Sequence, residues 1–176
     1  VFYDVDARSN DIPSRRLKVL EALAMGLPRV IVASIDSIIT YQAPKELFEE
    51  NIIQLSIGDI SSMDALSQRL VKMGYERVIL VEGSGQFSIR GGILDIFPMT
   101  EDEPLRLEFF GDEIDSIRTF DVLTQRSHRV VKSINITPGR ELILTKDRIH
   151  EGIKRIKTDL NRVMNKEVTL CKDIKK

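Results

Sequence analysis

The apolar positions of this chain fall into three segments of different spacing. In IPSRRLKVLEALAMGLP, Leu17, Leu20, Leu23 and Ala24 recur at helical intervals, which predicts a helix with Ser14 as its N-cap and Gly26 and Pro28 as its stop. RVIVAS is an unbroken apolar run and predicts a buried strand of the kind found in parallel sheets. SIDSIITYQAP then predicts a short helix capped by Ser34. Helix, strand, helix is an α/β signature. The charged, proline-bearing stretch APKELFEEN sets a boundary near residue 50.

Beyond it the pattern alternates. IIQLSIGD predicts a strand, and SSMDALSQRLVKMGY predicts an amphipathic helix with Met63, Leu66 and Leu70 on one side, Ser61 or Ser62 as cap and Gly74 as stop. RVILVE, GQFSIRGG, GILDIFP, LRLEFFGD and EIDSIRTFD predict strands joined by glycine, proline or acidic turns, with INITP closing the sheet. The expected architecture is an α+β domain over residues 51–137, a mainly antiparallel sheet with its helix on one face. It is flanked by a partial α/β segment at 1–50 and a helical segment at 138–176. In the last, Thr145 caps a long helix whose Ile149, Ile153, Ile156, Leu160 and Val163 form one stripe. The opposite face is rich in lysine and arginine, as a solvated helix face or a nucleic-acid footprint would be.

Composition narrows what such a chain does. It has 176 residues, 42% of them hydrophobic, enough for a core, and a formal net charge of -1, so any contact with nucleic acid or an anionic membrane rests on a local patch. A single cysteine, Cys171, excludes an intrachain disulfide or a cysteine-cage zinc site. No apolar run approaches the roughly 18 residues of a membrane span, and a cytoplasmic location is expected. The chain opens at Val1 in VFYDVDARSND rather than at methionine, which suggests a piece of something longer.

The search for chemistry is mostly negative. The phosphate-binding pattern GxxxxGK[ST] is absent, and Gly83 and Gly85 in EGSGQF are better explained as a turn. His128 and His150 stand far apart without a clustered partner motif. Glu82, Asp95, Glu108 and Asp112 could supply an acid-base pair only in a geometry that spacing does not reveal. Asp112, in FFGDE, is more simply a turn former. The expectation is therefore no catalytic residue, no metal and no cofactor in this chain.

What remains is a surface. The two-residue period of LRLEFF sends Leu105, Leu107 and Phe109 to one face and Arg106, Glu108 and Phe110 to the other. In GQFSIR the same period turns Phe87 and Ile89 inward and Ser88 and Arg90 outward, so Arg90 can share the face of Arg106. An arginine pair beside an aromatic side chain is a combination favoured at interface hot spots. From pattern alone, Phe110 fits equally well as a cover for the sheet edge.

GQFSIRGGILDIFP followed by LRLEFFGDEIDSIRTFDVLTQRS resembles the bacterial transcription-repair coupling factor (Mfd) family, within the module that it shares with the excision-repair protein UvrB. The resemblance spans nearly the whole chain and is strongest between Phe87 and Ser127. It implies that residues 1–50 correspond to the later part of a degenerate helicase-like domain 1a, 51–137 to domain 2, and 138–176 to the start of domain 1b. It further implies a non-catalytic module that binds UvrA, the damage-recognition ATPase, through Arg90, Arg106 and Phe110, with Glu108 orienting Arg106. As exposed residues these should carry little of the fold's stability. A basic residue that UvrB carries two positions before the matched arginine is replaced by Ser88. The family's ATP- and magnesium-dependent translocase, its contacts with double-stranded DNA and RNA polymerase, and a C-terminal domain that masks the UvrA surface would all lie outside this chain. A UvrB-like nucleic-acid-binding or helicase-remnant module is the alternative.

Overall fold

The computed structural model describes residues 11–27, 30–40, 42–143 and 145–173. Two compact units divide the chain, Val1–Ile143 and Leu144–Lys176.

The first unit opens with helix α1 (Asp11–Ala24). It extends through Ser14, so that residue is not its N-cap; the Ser14 hydroxyl instead donates to the Met99 carbonyl at 2.6 Å. Gly26, at φ +64°, ends the helix by letting the Leu27 amide reach back to the Ala22 carbonyl. Pro28 lies outside the described residues. RVIVAS forms no strand over residues 30–33, and Val30 and Val32 are almost fully exposed. A strand exists only while its amides and carbonyls are paired, and none of the described residues pairs with this segment. Short helices α2 (Ile35–Ile39) and α3 (Lys45–Glu50) follow, with Ser34 in the N-cap position of α2 and Phe48 of α3 buried. Leu17, Ala24, Phe48 and Met99 make a small core of their own, and an ion pair between Arg16 and Glu141 at 2.5 Å fastens α1 to the rest of this unit.

Strand β1 (Ile53–Ser56) leads into helix α4 (Met63–Lys72), whose N-cap Ser62 accepts the Ala65 amide. Gly74, at φ +95°, stops α4 as Gly26 stops α1: the Tyr75 amide reaches the Leu70 carbonyl. Six strands then form one sheet in sequence order: β2 (Glu76–Arg77), β3 (Gln86–Arg90), β4 (Ile93–Ile96), β5 (Leu105–Phe110), β6 (Glu113–Phe120) and β7 (Ser127–Val130). Only β2 and β3 run parallel. The last strand, β8 (Ser133–Ile136), does not close this sheet but pairs with β1 in a separate two-stranded one. The core behind the large sheet combines Leu66, Leu70 and Met73 from α4 and its end with Phe87, Leu94, Ile96, Leu107, Ile114 and Ile117 from the strands. The predicted mixture of helices with a mainly antiparallel sheet is what forms.

Of RVILVE only Arg77 belongs to a strand, as the second residue of β2. The Val78 amide still bonds the Phe87 carbonyl, but the chain then leaves the sheet, exposing Ile79 and burying Val81.

The second unit is helix α5 (Lys146–Asp173), whose N-cap Thr145 accepts the Arg148 amide at 3.3 Å. Its stripe from Ile149 to Val163 is exposed. Cys171 lies in this helix, and its side chain is outside the described residues. No helix among the described residues is long and apolar enough to cross a membrane.

Candidate functional site

The site is the sheet face opposite the core. Register places its residues in rows across the strands. Ser88, Asp95 and Arg106 are cross-strand partners on β3, β4 and β5, and Arg106 continues to Arg118 on β6. One row nearer the turns run Arg90, Ile93, Glu108 and Ser116. At the end of β5, Phe110 pairs with Glu113, which forms an isolated bridge to Ile60 on its other side.

Two glycine turns bring these ends together. Gly91 and Gly111, at φ +59° and +65°, let two-residue turns join β3 to β4 and β5 to β6. At Gly92 the reason is space, since a Cβ there would lie 2.9 Å from the Phe109 carbonyl oxygen. A register shift between Glu108 and Phe109 leaves Asp115 of β6 without a partner, and Phe109 and Ile114 both stay on the core side. Phe110 therefore emerges on the polar face, 84% exposed, as the alternation predicts.

The first row is covered. Ser88, expected to face outward, does so but is buried, because residues 78–82 fold back over it and its hydroxyl donates to the Ile79 carbonyl at 2.8 Å. Arg106 is also more enclosed than its strand position suggests, with its side chain 14% exposed. Its guanidinium lies 4.7 Å from the centre of the Phe120 ring, and its Nη1 donates to the Gln125 carbonyl at 3.1 Å. Gln125 has a φ of +59°, held in the turn that Asp121 makes by accepting the Thr124 amide and hydroxyl.

The residue that orients Arg106 is Asp95, not Glu108. Asp95 is 1% exposed and takes the Arg106 fork on both oxygens, Nε to Oδ1 at 2.7 Å and Nη2 to Oδ2 at 2.9 Å. Arg90 Nη2 donates to the same Oδ2 at 2.7 Å while its own side chain stays 47% exposed. Glu108 instead accepts the Ser116 hydroxyl at 2.6 Å, because its cross-strand neighbour on β6 is Ser116. Hydrogen bonding to Asp95 raises the Arg106 pKa above the ordinary arginine value, outweighing the opposing effect of burial. Two cations thus share one buried carboxylate, and the cluster keeps one net positive charge whose outer part is Arg90.

The four residues singled out from sequence therefore fall into two groups. Arg90, Glu108 and Phe110 occupy the accessible end of the face, and Arg106 is largely satisfied beneath it. Sequence reading passed over two others. Asp95 enters the sequence reading only as an acid-base candidate, because the long connection over residues 97–104 between β4 and β5 leaves its register against Arg106 to the folded sheet. Ile60, 83% exposed and on the far side of Glu113 from Phe110, sits in a loop for which no strand period exists. Among the described residues no three histidine, cysteine or acidic side chains converge as a metal site would require.

The mainly antiparallel α+β module falls within a known family. The model of the UvrB interaction domain matches residues 53–142, and the chain belongs to that family. Proteins similar to it include transcription-repair-coupling factors. The one from Bacillus subtilis is 36% identical over 163 residues, covering 93% of this chain and 14% of the relative. The one from Staphylococcus aureus (strain USA300) is 37% identical over 155 residues, 88% of this chain and 13% of the relative. The chain thus spans about a seventh of the length of the curated relatives that it matches.

Proposed function

We propose that this chain is the UvrA-recruiting part of a transcription-repair-coupling factor, a non-catalytic module that links stalled RNA polymerase to nucleotide excision repair. The observation that carries the reading is the pairing of a fully projecting Phe110 with a half-exposed Arg90 on one face of a firmly built sheet. A rigid apolar anchor beside a planar donor is what a protein partner engages most strongly. Two carboxylates considered for acid-base chemistry have structural partners, Asp95 in the arginine clamp and Glu108 on Ser116. The partner surface complementary to this face offers an apolar pocket for Phe110 and a carboxylate for Arg90. Polymerase contact, DNA translocation, ATP with magnesium, and a domain that masks this face are assigned to other parts of the longer protein.

Calorimetric titration of UvrA with the wild-type chain and with an Arg90→Ala, Phe110→Ala double variant tests this. Both positions are accessible, so the variant keeps the fold. The expected result is wild-type binding that the variant loses. Wild-type protein that does not bind UvrA, or a variant that binds equally well, refutes the proposal.

A further inference from the structure

We infer that Asp95 is a positioning residue of this face: buried and outside the contact area, it sets the direction from which Arg90 meets a carboxylate of the partner. The inference rests on the proposed UvrA surface and adds how its cation is prepared. An arginine on an exposed strand end ordinarily samples many rotamers, and ordering it on binding costs affinity. Here one of its five N–H donors is already committed to Asp95 Oδ2 at 2.7 Å. The remaining four stay with a side chain that is 47% exposed.

The arrangement works because Arg106 is present. A carboxylate buried as deeply as Asp95 needs a counter-ion, and the bidentate fork of Arg106 supplies it from the next strand. Arg90 is thus left with a shared oxygen and not a full partner of its own. It is held in place while most of its charge remains available for a second carboxylate. With Arg90 as the sole partner of Asp95, the carboxylate would have cancelled that arginine's charge, and without Asp95 the Arg90 side chain would have been mobile.

The test is a double-mutant cycle on UvrA affinity with Asp95→Asn, which keeps shape and removes charge, in wild-type, Arg90→Ala and Phe110→Ala backgrounds. Asp95→Asn is expected to weaken binding about tenfold in the wild type and in Phe110→Ala, but less than about twofold in Arg90→Ala. Equal weakening in all three backgrounds, or none in any, overturns the inference. Should Asp95→Asn unfold the chain, Arg90→Lys decides, since it keeps the charge without the fork: affinity near that of Arg90→Ala supports positioning, and near-wild-type affinity overturns it.

A second readout needs no partner. In the free wild-type protein, side-chain nitrogen NMR should show hindered rotation of the Arg90 guanidinium that Arg118, exposed on β6, lacks; a freely rotating Arg90 overturns the inference. Absence of any UvrA binding by the wild type would refute the proposed function alone and leave the clamp to this measurement.

Discussion

Replacing Arg106 by alanine should cost the fold more than any substitution at an exposed position of the same face. The change removes two hydrogen bonds to a carboxylate that is 1% exposed, and it strips the cation from above Phe120. Hydrogen bonds to charged groups contribute about 1.5–3 kcal/mol each, and the contact with the ring adds about 0.5–1 kcal/mol. Their sum is an upper bound, because Arg90 keeps its bond to Oδ2 and water can enter the space left behind. A loss of about 3 kcal/mol results, at the lower end of the range for breaking a buried ion pair. With an m-value of about 2 kcal/mol/M, the urea midpoint would fall by about 1.5 M. Urea titrations of wild type, Arg106→Ala, Asp95→Asn and the double variant supply the coupling. Removing both charges should cost clearly less than the sum of the single changes, because no buried charge is then stranded. A loss below about 1 kcal/mol for Arg106→Ala, or strict additivity with Asp95→Asn, would refute the reasoning and return Arg106 to the solvent-facing role that strand alternation suggested.

Phe110→Ala should reduce UvrA affinity about thirtyfold, roughly 2 kcal/mol, with a urea midpoint unchanged from wild type, because the ring is 84% exposed. Ile60→Ser should likewise leave the midpoint unchanged while lowering the affinity measured by the same calorimetry, since Ile60 lies across Glu113 from Phe110 on the same face. Gly92→Ala should destabilise the chain by about 1–3 kcal/mol in urea, because its Cβ would meet the backbone oxygen of Phe109 at 2.9 Å and the turn must shift. Tyr75 titrates in the alkaline range. Burial raises its folded-state pKa above the ordinary tyrosine value, and its hydroxyl donates to the Thr137 carbonyl at 2.9 Å. Its contribution is therefore complete below about pH 10, where the unfolded phenol begins to ionise, and falls above it by about 1.4 kcal/mol per pH unit. Tyr75→Phe should flatten that alkaline limb in stability measured from pH 8 to 11.5.

Local rules were sufficient for many features that depend on neighbours a few residues away, though not for the Ser14 cap, since α1 runs through that residue. Helical spacing, the Ser62 cap, the glycine stops at Gly26 and Gly74 and the outward face of Phe110 all follow from periods and backbone preferences that act within one turn or one strand. The same alternation correctly put Arg90, Glu108 and Phe110 on one face. It failed where another element covers that face or must complete the pairing. Ser88 points outward and is buried because residues 78–82 cross over it, which no period inside β3 can report. RVIVAS is apolar enough for a buried strand, yet its residues 30–33 lack a pairing partner among the described residues and stay exposed.

The division is sharpest at the arginines. Sequence alone established that this chain carries an antiparallel module with two arginines and a phenylalanine on its polar side, and that its motifs resemble those of the repair-coupling family. Only the tertiary structure decided that the two arginines are unlike. One is largely enclosed over Phe120 and occupied by Asp95, and the other is steadied by the same carboxylate and left open. The physical reason is that a charge pair forms across strands, where register and covering loops set both distance and solvent exposure, and both quantities arise only when the sheet is assembled.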